Sequence, residues 1–169
     1  MSEPETLLLK ANGWMPNNPL LPVLIYRHAI EAGDPSAAET RLRRNGWSPE
    51  WRNGVYPFHH YHSTAHEALA CTAGEATLLL GGEGGRQVGI AAGDLLVLPA
   101  GTGHCRIAAS PDFLLVGAYP DGQHWDVCRE AADEETLRRI ARVARPSTDP
   151  VEGTNGVLLH LWRGDRSGT

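Results

Sequence analysis

The chain has 169 residues and a mass of 18.3 kDa, ordinary for one domain and long enough to bury a core without disulfide staples. A formal charge of -5 and a pI near 5.9 exclude the basic stripe that a nucleic-acid surface needs, and acidic lipid is an equally poor partner. No apolar run approaches the ~18 residues that span a bilayer, Met1 to Lys10 lacks the parts of a signal peptide, and Cys71, Cys105 and Cys128 form an odd set without a Cys-x-x-Cys pair, so a soluble cytoplasmic protein with reduced thiols is expected.

In chain order, Asn17-Asn18-Pro19 to Pro22 is a turn-rich entry, and Val23 to Tyr26 is a short apolar run suited to an edge strand. Asp34-Pro35 followed by Ser36 to Arg44 and closed by Asn45-Gly46 has the N-cap, first-turn proline and glycine stop of a short helix. Trp47, Trp51 and Tyr56 then read as packing residues. From Tyr56 to Tyr119 strands follow one another: Tyr56 to His62, Glu67 to Thr72, Ala76 to Leu80, Arg86 to Ile90, Asp94 to Leu98, His104 to Ala108 and Phe113 to Tyr119. Glycine-rich and proline-containing breaks separate most of them and leave no room for crossover helices, which favours an all-β sandwich or barrel. Asp133 to Ala144 carries Leu137, Ile140, Ala141 and Ala144 at helical spacing, with an acidic first turn, an arginine-rich latter half and Pro146 as a stop. Gly156 to Trp162 reads as a last strand and Arg163 to Thr169 as a loose tail.

The chemistry concentrates in two segments. The first is Gly54, five residues, His60-Tyr61-His62, four residues, Glu67, six residues, Gly74; the second is Gly93, five residues, Pro99-Ala100-Gly101, two residues, His104. Side chains on a strand alternate, so His60 and His62 share a face roughly 6.5 Å apart, close enough to share an ion. His59 faces away by the same rule, and His66 falls in the connecting turn or on the opposite face.

These two segments resemble the two conserved motifs of the cupin superfamily. The stretch from His59 to Glu67 and the later Gly117-Ala118-Tyr119-Pro120-Asp121-Gly122-Gln123 are similar to small bacterial cupins of the YjlB-like type, and the resemblance extends from Pro16-Asn17-Asn18-Pro19 to Trp162. It implies a double-stranded β-helix, or jelly-roll barrel, with a short N-terminal helix and a C-terminal helix. The whole chain, 1–169, is then one cupin domain, with the barrel at about 54–120, an N-terminal extension at 1–53 and a C-terminal helix and strand at 121–169. It further implies one divalent metal ion per chain, held by His60, His62, Glu67 and His104. Three imidazoles and a carboxylate suit Fe, Mn, Zn, Ni, Co or Cu and leave positions open for water or substrate. The second motif usually closes with Asn where this chain has Ala108, so a polar pocket contact is expected to be missing.

Alternation names the pocket candidates. Leu69 and Cys71 share the Glu67 face and Arg106 shares the His104 face, with Tyr119 at the end of the last barrel strand. Arg106 facing a closed barrel calls either for a substrate carboxylate or for an internal salt bridge. Cys71 is either a substrate contact or a small buried apolar residue, and His124, in a loop past the barrel, is either a proton donor at the mouth or a surface histidine. The leading expectation is a mononuclear metalloenzyme, of dioxygenase or isomerase type, acting on a small anionic organic molecule. The second is a non-catalytic cupin that binds or senses a metabolite, and a vestigial structural protein is a third. Assembly into a homodimer through an exposed sheet edge is expected.

Overall fold

The computed structural model describes residues 3–163. Its strands are β1 (Glu5–Leu7), β2 (Val23–Tyr26), β3 (Trp47–Asn53), β4 (Glu67–Ala73), β5 (Glu75–Leu80), β6 (Arg86–Ala91), β7 (Leu95–Leu98), β8 (His104–Ala109) and β9 (Leu114–Pro120). They form two antiparallel sheets, one of six strands in the order β1-β2-β7-β4-β9-β3 and one of three in the order β6-β5-β8. Single bridges from His60 to His104 and from Tyr61 to Cys128 extend the smaller sheet beyond β8.

The two sheets are written differently in sequence because water reaches them differently. β2, β4 and β7 are buried on both faces, hence their nearly unbroken apolar runs. Their inner side chains, such as Leu69, Leu96 and Leu98, meet Leu78, Leu80 and Ile90 of the smaller sheet to fill the barrel. Their outer side chains pack under a lid made of Ala38 and Leu42, Trp47, Val151, Leu158 and Trp162. β6 instead buries only Val88 and Ile90 and turns Arg86, Gln87 and Gly89 to water, the alternation of a sheet wet on one face.

The lid begins with α1 (Pro35–Arg44), where the Asp34 carboxylate accepts the Ala37 N–H at 2.9 Å and Pro35 occupies the first turn, as its sequence predicts. A second helix, α2 (Glu134–Arg142), is capped by Asp133, whose carboxylate accepts the Thr136 N–H at 2.8 Å. Of the apolar stripe expected on it, Ile140 is buried, whereas Leu137 is 48% exposed, because α2 touches the barrel mouth along a narrow seam. None of the described helices is long and apolar enough to cross a membrane, and all three cysteines are free.

Four expectations are corrected. Val23–Tyr26 is an inner strand, because β1 pairs along its far side and makes the edge. Trp47–Asn53 is a strand on β9 rather than packing alone. Tyr56 to His62 forms no continuous strand: Pro57 has no N–H to donate, and pairing is confined to the bridges at His60 and Tyr61. Gly156 to Trp162 holds a short helix, α3 (Leu158–Leu161), since the buried Asp149 carboxylate takes the Leu158 N–H at 3.1 Å and turns the chain. Of the expected C-terminal tail, residues 164–169 lie outside the described residues.

Candidate metal centre

The turn Pro99 to Gly103, which delivers His104 to β8, is held from several sides. Asn17 Oδ1 accepts the Gly103 N–H at 2.9 Å, Asn18 Nδ2 donates to the Ala100 carbonyl at 3.0 Å, and His66 Nδ1 accepts the Ala100 N–H at 2.9 Å. Gly101 sits at φ +91°, and a Cβ there would lie 2.6 Å from the Asn17 carbonyl, so the turn needs glycine. The Asn17-Asn18 pair, a turn signal in the sequence, thus reaches across the fold to fix a site residue.

His60, His62 and His104 are buried, and one ring nitrogen from each lies within 4.8 Å of the others. Their orientation follows from what holds the opposite nitrogen. Nδ1 of His60 meets the Phe58 carbonyl at 3.0 Å, Nδ1 of His104 meets the Thr102 carbonyl at 3.0 Å, and Nδ1 of His62 meets the Asp126 carbonyl. A carbonyl only accepts, so each Nδ1 carries hydrogen and each neutral ring turns an Nε2 lone pair to the centre. Glu67 completes the cluster, with its carboxylate oxygens 3.3 Å from His62 Nε2 and 3.4 Å from His104 Nε2. Trp51 Nε1 donates to the Tyr119 hydroxyl at 2.8 Å, and that hydroxyl donates to Glu67 at 2.6 Å.

Lone pairs and a carboxylate aimed at one another repel unless a proton or a cation stands among them. Burial lowers the basicity of His62, but the adjacent Glu67 charge outweighs it and raises the His62 pKa above its ordinary value. Burial likewise pushes the Glu67 carboxyl up, and His62 and His104 beside it overcome that and hold it well below the usual carboxylate range. Burial and the neighbouring His104 push His60 down to about 3. A shared proton is one way to satisfy the cluster; a divalent metal ion fits its donors equally, since all three imidazoles are presented in the ligating tautomer next to an ionised carboxylate.

The cluster lines a cavity of about 430 Å³ whose walls also include Trp51, Tyr56, Leu69, Arg106, Tyr119 and Trp125. Arg106 therefore shares the cavity with the histidines, and among the described residues no carboxylate pairs with it. Tyr119 lines the same space. Cys71 does not: it lies further along β4, at a bulge, with its thiol 3.5 Å from the Ala73 carbonyl, and burial raises its pKa to about 11. His124 is exposed and outside the cavity, and its neighbour Trp125 lines it instead, stacked on Tyr119 at 4.5 Å with the rings 4° apart. Ala108 is exposed on the outer side of β8, so no pocket contact is lost there. His59 is half-buried and, among the described residues, joins no metal-binding group, while His66 is on the face opposite Glu67, against Trp162.

Sequence reading missed Trp51, Trp125 and Asp126. Asp126 offers its carbonyl to His62, and its carboxylate takes both the N–H and the hydroxyl of Ser63, whose oxygen also accepts from Arg139 at 3.0 Å. The adjacency of Trp125 and Asp126 to His124 in the loop past β9 was the only signal.

Two antiparallel sheets packed around such a cluster make a cupin-like sandwich. No protein-family model matches the chain. Over 162 residues it is 38% identical to a Bacillus subtilis (strain 168) protein carrying the name Uncharacterized protein YjlB, a match that covers 95% of this chain and 97% of that one. The chain belongs to the family of this YjlB protein. Among solved structures it is similar to a DUF861 family protein of Thermotoga maritima, with 21% identity, a TM-score of 0.37 and coverage of 56% of this chain and 96% of that one. It is also similar to an 11S allergen of Cocos nucifera, with 18% identity, a TM-score of 0.37 and coverage of 79% of this chain and 37% of that one.

Proposed function

We propose that the protein is a mononuclear metalloenzyme, of dioxygenase or isomerase type, that acts on a small anionic organic molecule. The observation that carries this reading is the commitment of all three Nδ1 atoms to backbone carbonyls, which leaves three imidazole nitrogens close to one another with the Glu67 carboxylate beside those of His62 and His104. His60, His62, Glu67 and His104 would hold the ion, and a bound divalent metal would supply Lewis acidity or a site for O2 activation.

The remaining roles belong to the chain itself. Arg106 offers its unpaired guanidinium to a substrate carboxylate in a bidentate grip. Because Tyr119 accepts from Trp51, its own hydrogen is directed to Glu67, which keeps that carboxylate ionised and fixed in rotation. Trp125 and Val127 narrow the mouth and keep bulk water from the buried cluster.

Elemental analysis of protein purified without an affinity tag, followed by O2-consumption and isomerisation screens against small organic acids, tests the proposal. One equivalent of a transition ion and turnover that disappears in Arg106→Gln are expected. Metal-free protein that takes up no ion under saturating conditions would contradict it, and full metal loading with ligand binding but no turnover would instead favour a metabolite-binding module.

A further inference from the structure

The walls of the cavity say more about what enters than its charge does. Gly117, on β9 and opposite Leu69 of β4, has no side chain, and a Cβ placed there would come within 2.0 Å of the Trp51 indole. The glycine lets Trp51 lie flat against the strand and pave the barrel wall. Trp125 lines the same cavity and stacks parallel on Tyr119, so flat aromatic faces make up much of a wall that Val55, Leu69 and Val127 complete.

The hydrogen-bonding inventory is one-sided. The Trp51 N–H is spent on Tyr119, the Tyr119 hydroxyl is spent on Glu67, and Glu67 faces the imidazoles. What remains within the walls, among the described residues, is the Arg106 guanidinium and the Trp125 indole N–H, both donors, while the Asn53 amide and the half-exposed Tyr56 hydroxyl stand at the rim. Apart from Glu67, the acceptors left to a ligand among these side chains are the Asn53 amide oxygen and the Tyr56 hydroxyl, so one with several hydroxyls would bring more donors than they can take, and buried unpaired donors are rejected strongly. A carboxylate brings only acceptors.

We infer that the substrate is a flat, conjugated monocarboxylate poor in hydroxyl groups, an aryl carboxylate rather than a sugar acid or a branched aliphatic acid. Its carboxylate pairs with Arg106 and its ring lies against the Trp51 and Trp125 faces, where offset stacking adds to simple burial. This rests on the anionic-substrate reading of the same pocket and narrows it.

The test is calorimetric titration of metal-loaded protein with four probes: benzoate, cyclohexanecarboxylate, gluconate and benzamide. Benzoate is expected to bind at least tenfold more tightly than each of the others. Arg106→Gln should erase its advantage over benzamide, and Trp125→Leu, at a site 39% exposed and so tolerant of change, should erase its advantage over cyclohexanecarboxylate. An advantage below tenfold, no saturable binding of benzoate, or benzoate affinity unchanged in either variant overturns the inference. Gluconate or cyclohexanecarboxylate binding best, with loss in Arg106→Gln, would overturn the aromatic assignment and leave the anionic reading standing. Benzamide binding best would remove both.

Discussion

Two buried carboxylates lie on opposite faces of the six-stranded sheet, each with a tyrosine hydroxyl on it, and their surroundings differ. On the outer face Asp149 accepts the Tyr26 hydroxyl at 2.7 Å and the backbone N–H groups of Val151, Glu152 and Leu158 at 2.7, 3.1 and 3.1 Å. Its lone pairs are saturated by donors, and the C-terminal segment is tied to β2 through it. On the inner face Glu67 receives only the Tyr119 hydroxyl and otherwise confronts the Nε2 atoms of His62 and His104. A saturated carboxylate stabilises the fold; one left facing imidazoles is free to pair with a proton or a cation, which the proposed function assigns to a metal.

Substitutions at the two positions should therefore differ in kind. Asp149→Ala strands four donors, three of them buried, and is expected to lower unfolding free energy in urea by about 3–5 kcal/mol, with metal affinity of the folded fraction unchanged. A loss below 1 kcal/mol would show that the outer pair is not structural. Next in size is His66, which packs on the outer face one residue from Glu67; burial holds its pKa at about 4. The folded protein thus refuses a proton that the unfolded chain accepts, so stability declines as pH falls from 6.5 toward 4 and levels off below. This histidine alone contributes roughly 3 kcal/mol to that decline. His66→Asn keeps an acceptor for the Ala100 N–H and cannot titrate, so metal-free protein carrying it should show a flatter pH profile by that amount, and an unchanged slope would refute the assignment.

At the inner carboxylate, Glu67→Gln should cut metal affinity on the order of 100-fold, measured by chelator competition. Metal-free stability should move by less than about 1 kcal/mol, because the amide can donate to an imidazole lone pair while still accepting from Tyr119. A destabilisation as large as that of Asp149→Ala would erase the contrast. The smallest effects belong to the hydroxyls. Tyr26→Phe should cost about 1 kcal/mol of stability, whereas Tyr119→Phe should cost less of it and weaken metal binding roughly tenfold. Metal affinity should also fall with acidity as protons compete for His62, whose pKa is raised by Glu67. Metal content that stays flat across a pH series in which the fold persists would deny that competition.

What could be read from the sequence follows the range of each signal. The His-x-His spacing of His60 and His62 is local, and His104, from the second motif, lies beside them in space; the caps of α1 and α2 are equally local signals. Period-two reasoning puts Arg106 on the His104 side of β8, and Arg106 lines the cavity; the same reasoning extended to Cys71 fails, since the register shifts at the bulge between Cys71 and Ala73. A loop has no period, so nothing in the order His124-Trp125 says which side chain turns inward. The run from Gly156 to Trp162 is apolar enough for strand or helix, and Asp149 decides between them from outside it. The partners that set the histidine tautomers are backbone carbonyls of Phe58, Thr102 and Asp126, which any residue could provide and no motif records.

The convergence of three Nε2 atoms is most directly tested by crystals grown with Co2+ and measured at its absorption edge. A single anomalous peak bonded to Nε2 of His60, His62 and His104, with a Glu67 oxygen beside it, is the predicted result. A cavity without a peak, or a peak bound elsewhere on the chain, would contradict it.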